Sequence, residues 1–227
     1  MFKVDLHVHT ILGGDSLIRP DELVPLARAV GLDAVCVTEH HAYSLSEPFE
    51  AVSRRTGFPI FRALEYTAQE GHLLVFGLKI GRGDLPPRLP IQRVADWVHL
   101  RGGLAVPAHP YQRGLLGGLL GDRVLKMKGL IALETVNASV TLEENRMAAR
   151  AAKTLGLFGV GGSDAHGPTV LGRAYTLFPT RLRSEGELLE SLRSGAYTAC
   201  RHKDRPAKGQ KAGGEREPAT AGSGAKT

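Results

Sequence analysis

Short apolar runs alternate along the chain with longer stretches in which apolar residues recur every three or four positions. FKVDL, DAVCVT, FPIFRALE, HLLVFGL, LAVPAH, LIALETV and GVGGSD have the length and the Val, Ile, Leu and Phe content of strands. Between them, PDELVPLARAVG, SEPFEAVSRRTG, PIQRVADWVHLRGG and TLEENRMAARAAKTLG carry helical spacing, with glycine at helix ends. Pro20 and Asp21 suit a first helical turn, and Thr141 with Glu144 forms a capping box. Strand-helix alternation predicts a parallel sheet, and nearly continuous apolar strands predict burial on both faces. GRGDLPPRLP reads as a surface loop, and the glycine-rich stretch from Tyr111 to Arg123 as a long connection able to cover a site.

The pattern stops near Cys200. Residues 201–227 contain no Val, Ile, Leu, Met, Phe, Tyr or Trp, so they cannot bury enough apolar surface to offset the entropy of ordering. The expected organisation is therefore one domain over residues 1–200 and a disordered basic tail over 201–227. Of the formal net charge of +6, the tail carries +4, from seven basic and three acidic residues, so the fold itself is nearly neutral. A weak nucleic-acid contact through the tail is the most this charge implies. The start of the chain has no basic region leading into an apolar run, and no stretch approaches the about 18 to 20 apolar residues of a membrane span. A soluble, cytoplasmic protein without membrane contact is expected, and the oligomeric state is not legible. Cys36 and Cys200 lack thiolate-site spacing and read as reduced thiols, Cys36 buried.

Polar residues interrupt the apolar pattern at strand ends. His7 and His9 end the first strand, Glu39 and His40 the second, Glu65 the third, His109 the fifth, Glu134 the sixth, and Asp164 with His166 the seventh, while His72 opens the fourth. His7 and His9 share a face because side chains alternate along a strand. In a parallel barrel the carboxyl ends of all strands share one face, so residues far apart in sequence converge. Pro110 is expected to hold His109 extended. So many imidazoles and carboxylates at one end would need many private partners as packing residues, whereas a polynuclear metal site satisfies them together.

In order, DLHVHT, GGDS, TEH, LE, GH, AHP and GGSDAH resemble the motifs of the polymerase and histidinol phosphatase (PHP) family of metal-dependent phosphoesterases, over about Val4 to Thr176. The resemblance implies an α/β fold, a distorted TIM-like (β/α)7 barrel, with two or three divalent ions at the carboxyl ends of its strands. It implies that His7, His9, Glu65 and Asp164 hold the first ion, that Glu65 bridges to a second held by His72 and His109, and that Asp15, His40 and His166 hold a third. The second strand ends in TEH where the family usually has TDH, and Glu39 is expected to orient a ligand histidine. Donors of this kind, without thiolate, suit Mn²⁺, Fe²⁺ or Zn²⁺.

The implied activity is hydrolysis of a phosphomonoester or phosphodiester in a small phosphorylated metabolite, nucleotide or short oligonucleotide. The nucleophile would be a hydroxide shared by two ions, with Asp164 in the catalytic group and His40 or His166 assisting the leaving oxygen. Arg19, Arg113 and Arg173 follow motif loops or strand ends where a guanidinium could meet phosphate oxygens. An amidohydrolase-like enzyme acting on C–N bonds would call for a carboxylated lysine near a strand end, and none is evident; a non-catalytic metal-binding barrel would show lost ligands.

Overall fold

The computed structural model describes residues 1–113 and 120–202. The middle of the Tyr111–Arg123 connection and residues 203–227 of the expected tail lie outside the described residues. The elements run β1 (Phe2–Val8), α1 (Leu23–Ala29), β2 (Ala34–Val37), α2 (Pro48–Thr56), β3 (Ile60–Arg62), β4 (Leu64–Thr67) and β5 (His72–Phe76). They continue with α3 (Ile91–Leu100), β6 (Leu104–Ala108), β7 (Ala132–Asn137), α4 (Leu142–Leu155), β8 (Phe158–Gly162), β9 (Ala174–Phe178), α5 (Glu185–Ser194) and β10 (Thr198–Arg201). Local chemistry sets the helix ends. Thr141 and Glu144 close a reciprocal capping box on α4, and Gly156, at φ 65°, supplies the left-handed residue that ends it.

The strands pair in three sheets, ordered β10-β9-β1-β2-β3, β4-β5-β6 and β7-β8. These ladders make a mixed α/β fold; they do not by themselves join into the distorted (β/α)7 barrel that the resemblance implies, and they are not all parallel. The β4-β5-β6 sheet is antiparallel throughout, and β9 runs antiparallel to both β1 and β10. The single strand expected over FPIFRALE breaks at Ala63 into β3 and β4, which belong to different sheets. Helix α1 spans Leu23–Ala29, and residues 20–22 form the turn that leads into it, with the Glu22 and Leu23 N–H groups both donating to the Arg19 carbonyl. Strands β9 and β10 and helix α5 lie beyond the last expected strand. Arg201 belongs to β10 and the His202 N–H donates to the Arg173 carbonyl, so the fold runs past the expected boundary at residue 200.

One apolar cluster joins the three sheets. Phe2, Val4, Leu6, Ala34, Cys36, Phe61, Leu74, Val106, Ala132 and Val160 pack together, and each fully buried Val, Leu or Phe contributes about 1.5–3 kcal/mol. Two further clusters lie under the helices, one with α1 and α2 and one with α3 and α4. Cys36 is buried, as expected.

Strand β1 changes face near its end. Asp5 pairs with Val35 and Val8 with Val37, so β1 spends three residues where β2 spends two. An extra residue of this kind is a β-bulge, and it reverses the side-chain alternation beyond it. Val4 and Leu6 accordingly lie in the cluster that joins the sheets, whereas Val8 packs with Ile18, Leu23, Val35 and Val37 under α1 and α2. His7 and His9 thereby take the side that Leu6 occupied. A second bulge between Glu134 and Val136 of β7 brings Glu134 and Asn137 into hydrogen-bond contact, Asn137 Nδ2 donating to Glu134 Oε2 at 2.9 Å.

Candidate metal centre

The two bulged ends deliver side chains to one place. His7 Nε2 lies 3.0 Å from His9 Nε2, 3.3 Å from Glu65 Oε2 and 3.4 Å from Asp164 Oδ1. His9 Nε2 lies 3.1 Å from the same Glu65 oxygen and 3.4 Å from the same Asp164 oxygen. A tetrahedron whose corners stand about 2.0–2.1 Å from its centre, as zinc ligands do, has edges of about 3.3–3.4 Å. Protons can bridge such atoms only in pairs, whereas one divalent cation satisfies all four. The residues present therefore fit a metal ion.

The other oxygen of Glu65 faces a second group, with Oε1 2.8 Å from His72 Nδ1 and 3.0 Å from His109 Nε2. His72 reaches this end because β5 is antiparallel: its first residue pairs with Thr67 at the end of β4 and with Ala108 at the end of β6. A third group gathers on Asp15 Oδ2, with His40 Nε2 and His166 Nε2 each at 3.2 Å, and His9 completes it. All nine residues expected as ligands thus fall into three groups, and in each the donor atoms lie within 4.8 Å of one another.

Surrounding residues fix these side chains. Glu134 Oε1 accepts from His7 Nδ1 at 3.0 Å; a carboxylate can only accept, so the proton sits on Nδ1 and the Nε2 lone pair faces the cluster. Glu134 Oε2 accepts the His109 backbone N–H at 2.8 Å. This contact corrects the expected extended conformation of His109, whose φ is 28°. Asp164 also has positive φ, 52°, and is pinned on both sides: its N–H donates to the His7 carbonyl at 2.7 Å and its carbonyl accepts the Ser139 hydroxyl at 2.9 Å. Positive φ at two residues of these groups stores backbone strain that these contacts hold in place. Gly162 permits the close approach of β8 to β1, since a Cβ there would collide with His7 Cβ and stand 2.8 Å from its backbone nitrogen.

Burial and charge oppose one another at the centre. Burial penalises the Glu65 charge, yet His7 and His72 outweigh it and hold its pKa well below the carboxylate range. Asp164 is lowered in the same way, with His7 and His9 opposing burial. Burial disfavours protonated His7 and His9, but Asp164 and Glu65 overcome it, raising His7 well above its ordinary value and His9 to about 9. His40 goes the other way, pushed down to about 4 chiefly by burial.

Several residues differ from their expected places. Glu39 does not grip a ligand histidine; its carboxylate accepts from the Thr10 hydroxyl and from the Thr10 N–H, pinning the residue after His9. Arg19 is exposed and paired with Asp21 at 3.3 Å, and Arg113 turns its backbone N–H to Glu144. Arg173 stands at the edge of β9, near Arg201. Glu134 was read only as a strand-end polar residue, and Asn137 and Ser139 were not singled out. Their contacts depend on the β7 bulge, which leaves no local signature.

The centre is formed by chain segments with known relatives. Residues 5–96 match the PHP domain and residues 143–197 match the PHP-associated family. An uncharacterized protein of Methanocaldococcus jannaschii is 27% identical over 146 residues, 60% of this chain and 82% of its own length. A two-domain protein from Bacteroides vulgatus, containing a predicted PHP-like metal-dependent phosphoesterase, superposes with a TM-score of 0.65 at 18% identity, covering 88% of this chain and 65% of that one. An amidohydrolase from Chromobacterium violaceum, with bound sulfate and no metal, superposes with a TM-score of 0.62 at 18% identity, covering 88% and 98%.

Proposed function

The chain belongs to the PHP domain family, and from that premise we propose that it is a metal-dependent phosphoesterase acting on a small phosphomonoester or on the phosphodiester of a nucleotide or short oligonucleotide. The observation that carries this reading is Glu65, whose two oxygens face two different histidine groups, as a carboxylate shared by two cations would. The three sheets, joined by one core cluster, are read as arcs of a distorted barrel whose site end carries the ligands.

His7, His9, Glu65 and Asp164 would hold one ion, Glu65, His72 and His109 a second, and His9, Asp15, His40 and His166 a third. The imidazole and carboxylate donors suit Mn²⁺, Fe²⁺ or Zn²⁺. Bound there, divalent ions supply positive charge against phosphate oxygens and acidify water. The chain supplies the rest. Glu134 keeps the His7 Nε2 lone pair turned to the cluster, and the contacts at Asp164 and His109 remove the need to reorganise during the reaction. As an alternative to a third ion, His166 Nε2 stands 3.2 Å from Asp15 Oδ2, and His166 is the more exposed of that carboxylate's two imidazole partners. Burial holds His40 down to about 4, so without a third ion the group placed to protonate a leaving oxygen would be His166.

The test is metal analysis together with a screen of phosphomonoesters, phosphodiesters and amides using protein loaded with each ion. His9→Ala and Asp164→Ala should lose metal and turnover together. Full metal content and full activity in either variant would overturn the assignment, and turnover of amides alone would favour C–N hydrolysis, the chemistry named for the similar amidohydrolase structure.

A further inference from the structure

His41 follows the ligand His40 and belongs to none of the three groups. Its φ is 70°, and the Ala42 N–H donates across it to the His40 carbonyl at 2.9 Å. A bond from residue i+2 to residue i around a positive φ is the rarer form of the γ-turn, which is strained for a residue with a side chain. Glycine would take this conformation at no steric cost. A histidine kept there instead points to a use for the imidazole.

The turn places that imidazole beside the ligands. Its ring centroid lies 5.6 Å from that of His40, the side chain is half-buried, and its nitrogens form no hydrogen bond among the described residues. The Tyr43 N–H donates to the Ile80 carbonyl at 2.8 Å and ties the loop after β5 to this turn. Two residues further on, Arg82 is exposed and makes no ion pair among the described residues. Asp84 of the same loop is occupied in forming the turn that presents Arg82, accepting the Gly81 N–H at 2.9 Å. The same loop meets the turn a second time, with Lys79 Nζ 6.0 Å from the centroid of the Tyr43 ring, so the loop that carries Arg82 lies against the turn that carries His41.

We propose that His41 and Arg82 form an anion subsite at the mouth of the metal centre, which binds a second anionic group, phosphoryl or carboxylate, of a substrate whose scissile phosphate lies on the ions. The proposal rests on the phosphoesterase reading and narrows its substrate class to phosphoesters bearing a further anionic group. Arg82 supplies a guanidinium for paired oxygens, and His41 supplies a ring N–H donor held in place by the turn.

Binding to Mn²⁺-loaded protein, followed by calorimetry, tests this without turnover. The probes are methylphosphonate, with one anionic group, methylenediphosphonate, with two phosphoryl groups, and phosphonoacetate, with a phosphoryl group and a carboxylate. Arg82→Ala leaves the fold untouched because the side chain is exposed, and His41→Gly suits the backbone at φ 70°. Both should remove about tenfold in affinity for at least one of the two-group probes, the loss of a charge-assisted contact, and leave methylphosphonate within about twofold. Which two-group probe is affected distinguishes phosphoryl from carboxylate. His41→Gly should also raise Tm, since it relieves the turn, so that binding falls while stability rises. Unchanged two-group binding in both variants, or an equal loss for all three probes, would overturn the subsite. The hydrolytic reading fails separately, by absence of ester turnover in a protein that still shows the two-group preference.

Discussion

Glu134 acts on the centre through His7. If its carboxylate sets the His7 tautomer, Glu134→Gln should lower metal affinity by about 10–100-fold, the usual effect of removing a partner that orients a ligand histidine. Titration with Mn²⁺ or Zn²⁺ checks it, and unchanged affinity would show that His7 needs no such partner. Gly162 is a second single-residue control. A methyl group there meets the backbone and Cβ of His7, so Gly162→Ala should destabilise by about 1–3 kcal/mol, as overpacking does, and should reduce metal content as well. Denaturation paired with metal analysis separates it from an ordinary core substitution. The residues that gather into the three groups were legible in the sequence because imidazoles and carboxylates stood at the ends of apolar runs. Glu39, in contrast, could not be placed from its motif, since its contact with Thr10 requires the loop after β1 to fold over the end of β2.

At the scale of elements, α4 divides stability from chemistry. Thr141 accepts the Glu144 N–H, and Glu144 accepts the Thr141 N–H in return. Thr141→Ala should therefore cost about 0.5–2 kcal/mol. Thr141 belongs to none of the ligand groups, so metal content and turnover below the melting transition should stay unchanged; loss of metal would mean that the helix positions the centre more directly than its contacts indicate. Helices α2, α3 and α4 were recognisable from local spacing because capping and i, i+4 periodicity are properties of neighbouring residues. The strands were recognisable as strands but not as partners. The link from Thr67 to His72 is too short for a parallel crossover, so once β4 and β5 pair they must run antiparallel, and that orientation sets His72 at the site end; what the local pattern left open was that these two strands are partners.

In the whole molecule, stability and metal binding are linked through protons. With the ions removed, His9 has a folded pKa of about 9 against an unfolded value of 6.5, and His7 is raised as well. A raised imidazole contributes stability that is fully present below about pH 6.5 and lost as pH rises through the folded value. Chelator-treated protein should thus lose Tm between about pH 6.5 and 9, while metal-loaded protein, whose carboxylates are neutralised by ions, should not. Parallel melting curves across that range test it; identical slopes for the two forms would mean that no ion replaces these protons. Removal of residues 203–227 should leave turnover of a small phosphoester unchanged, and a loss confined to nucleic-acid substrates would assign the tail to recruitment. Among the described residues, no helix is long and apolar enough to cross a membrane. The sequence by itself determined which residues can bind metal and that they recur at strand ends, because residue chemistry and short-range periodicity are local. Only the tertiary structure decided which way they point. The bulges in β1 and β7 follow from pairing between segments far apart in the chain, and a one-residue shift in that pairing carries a side chain from one face of the sheet to the other.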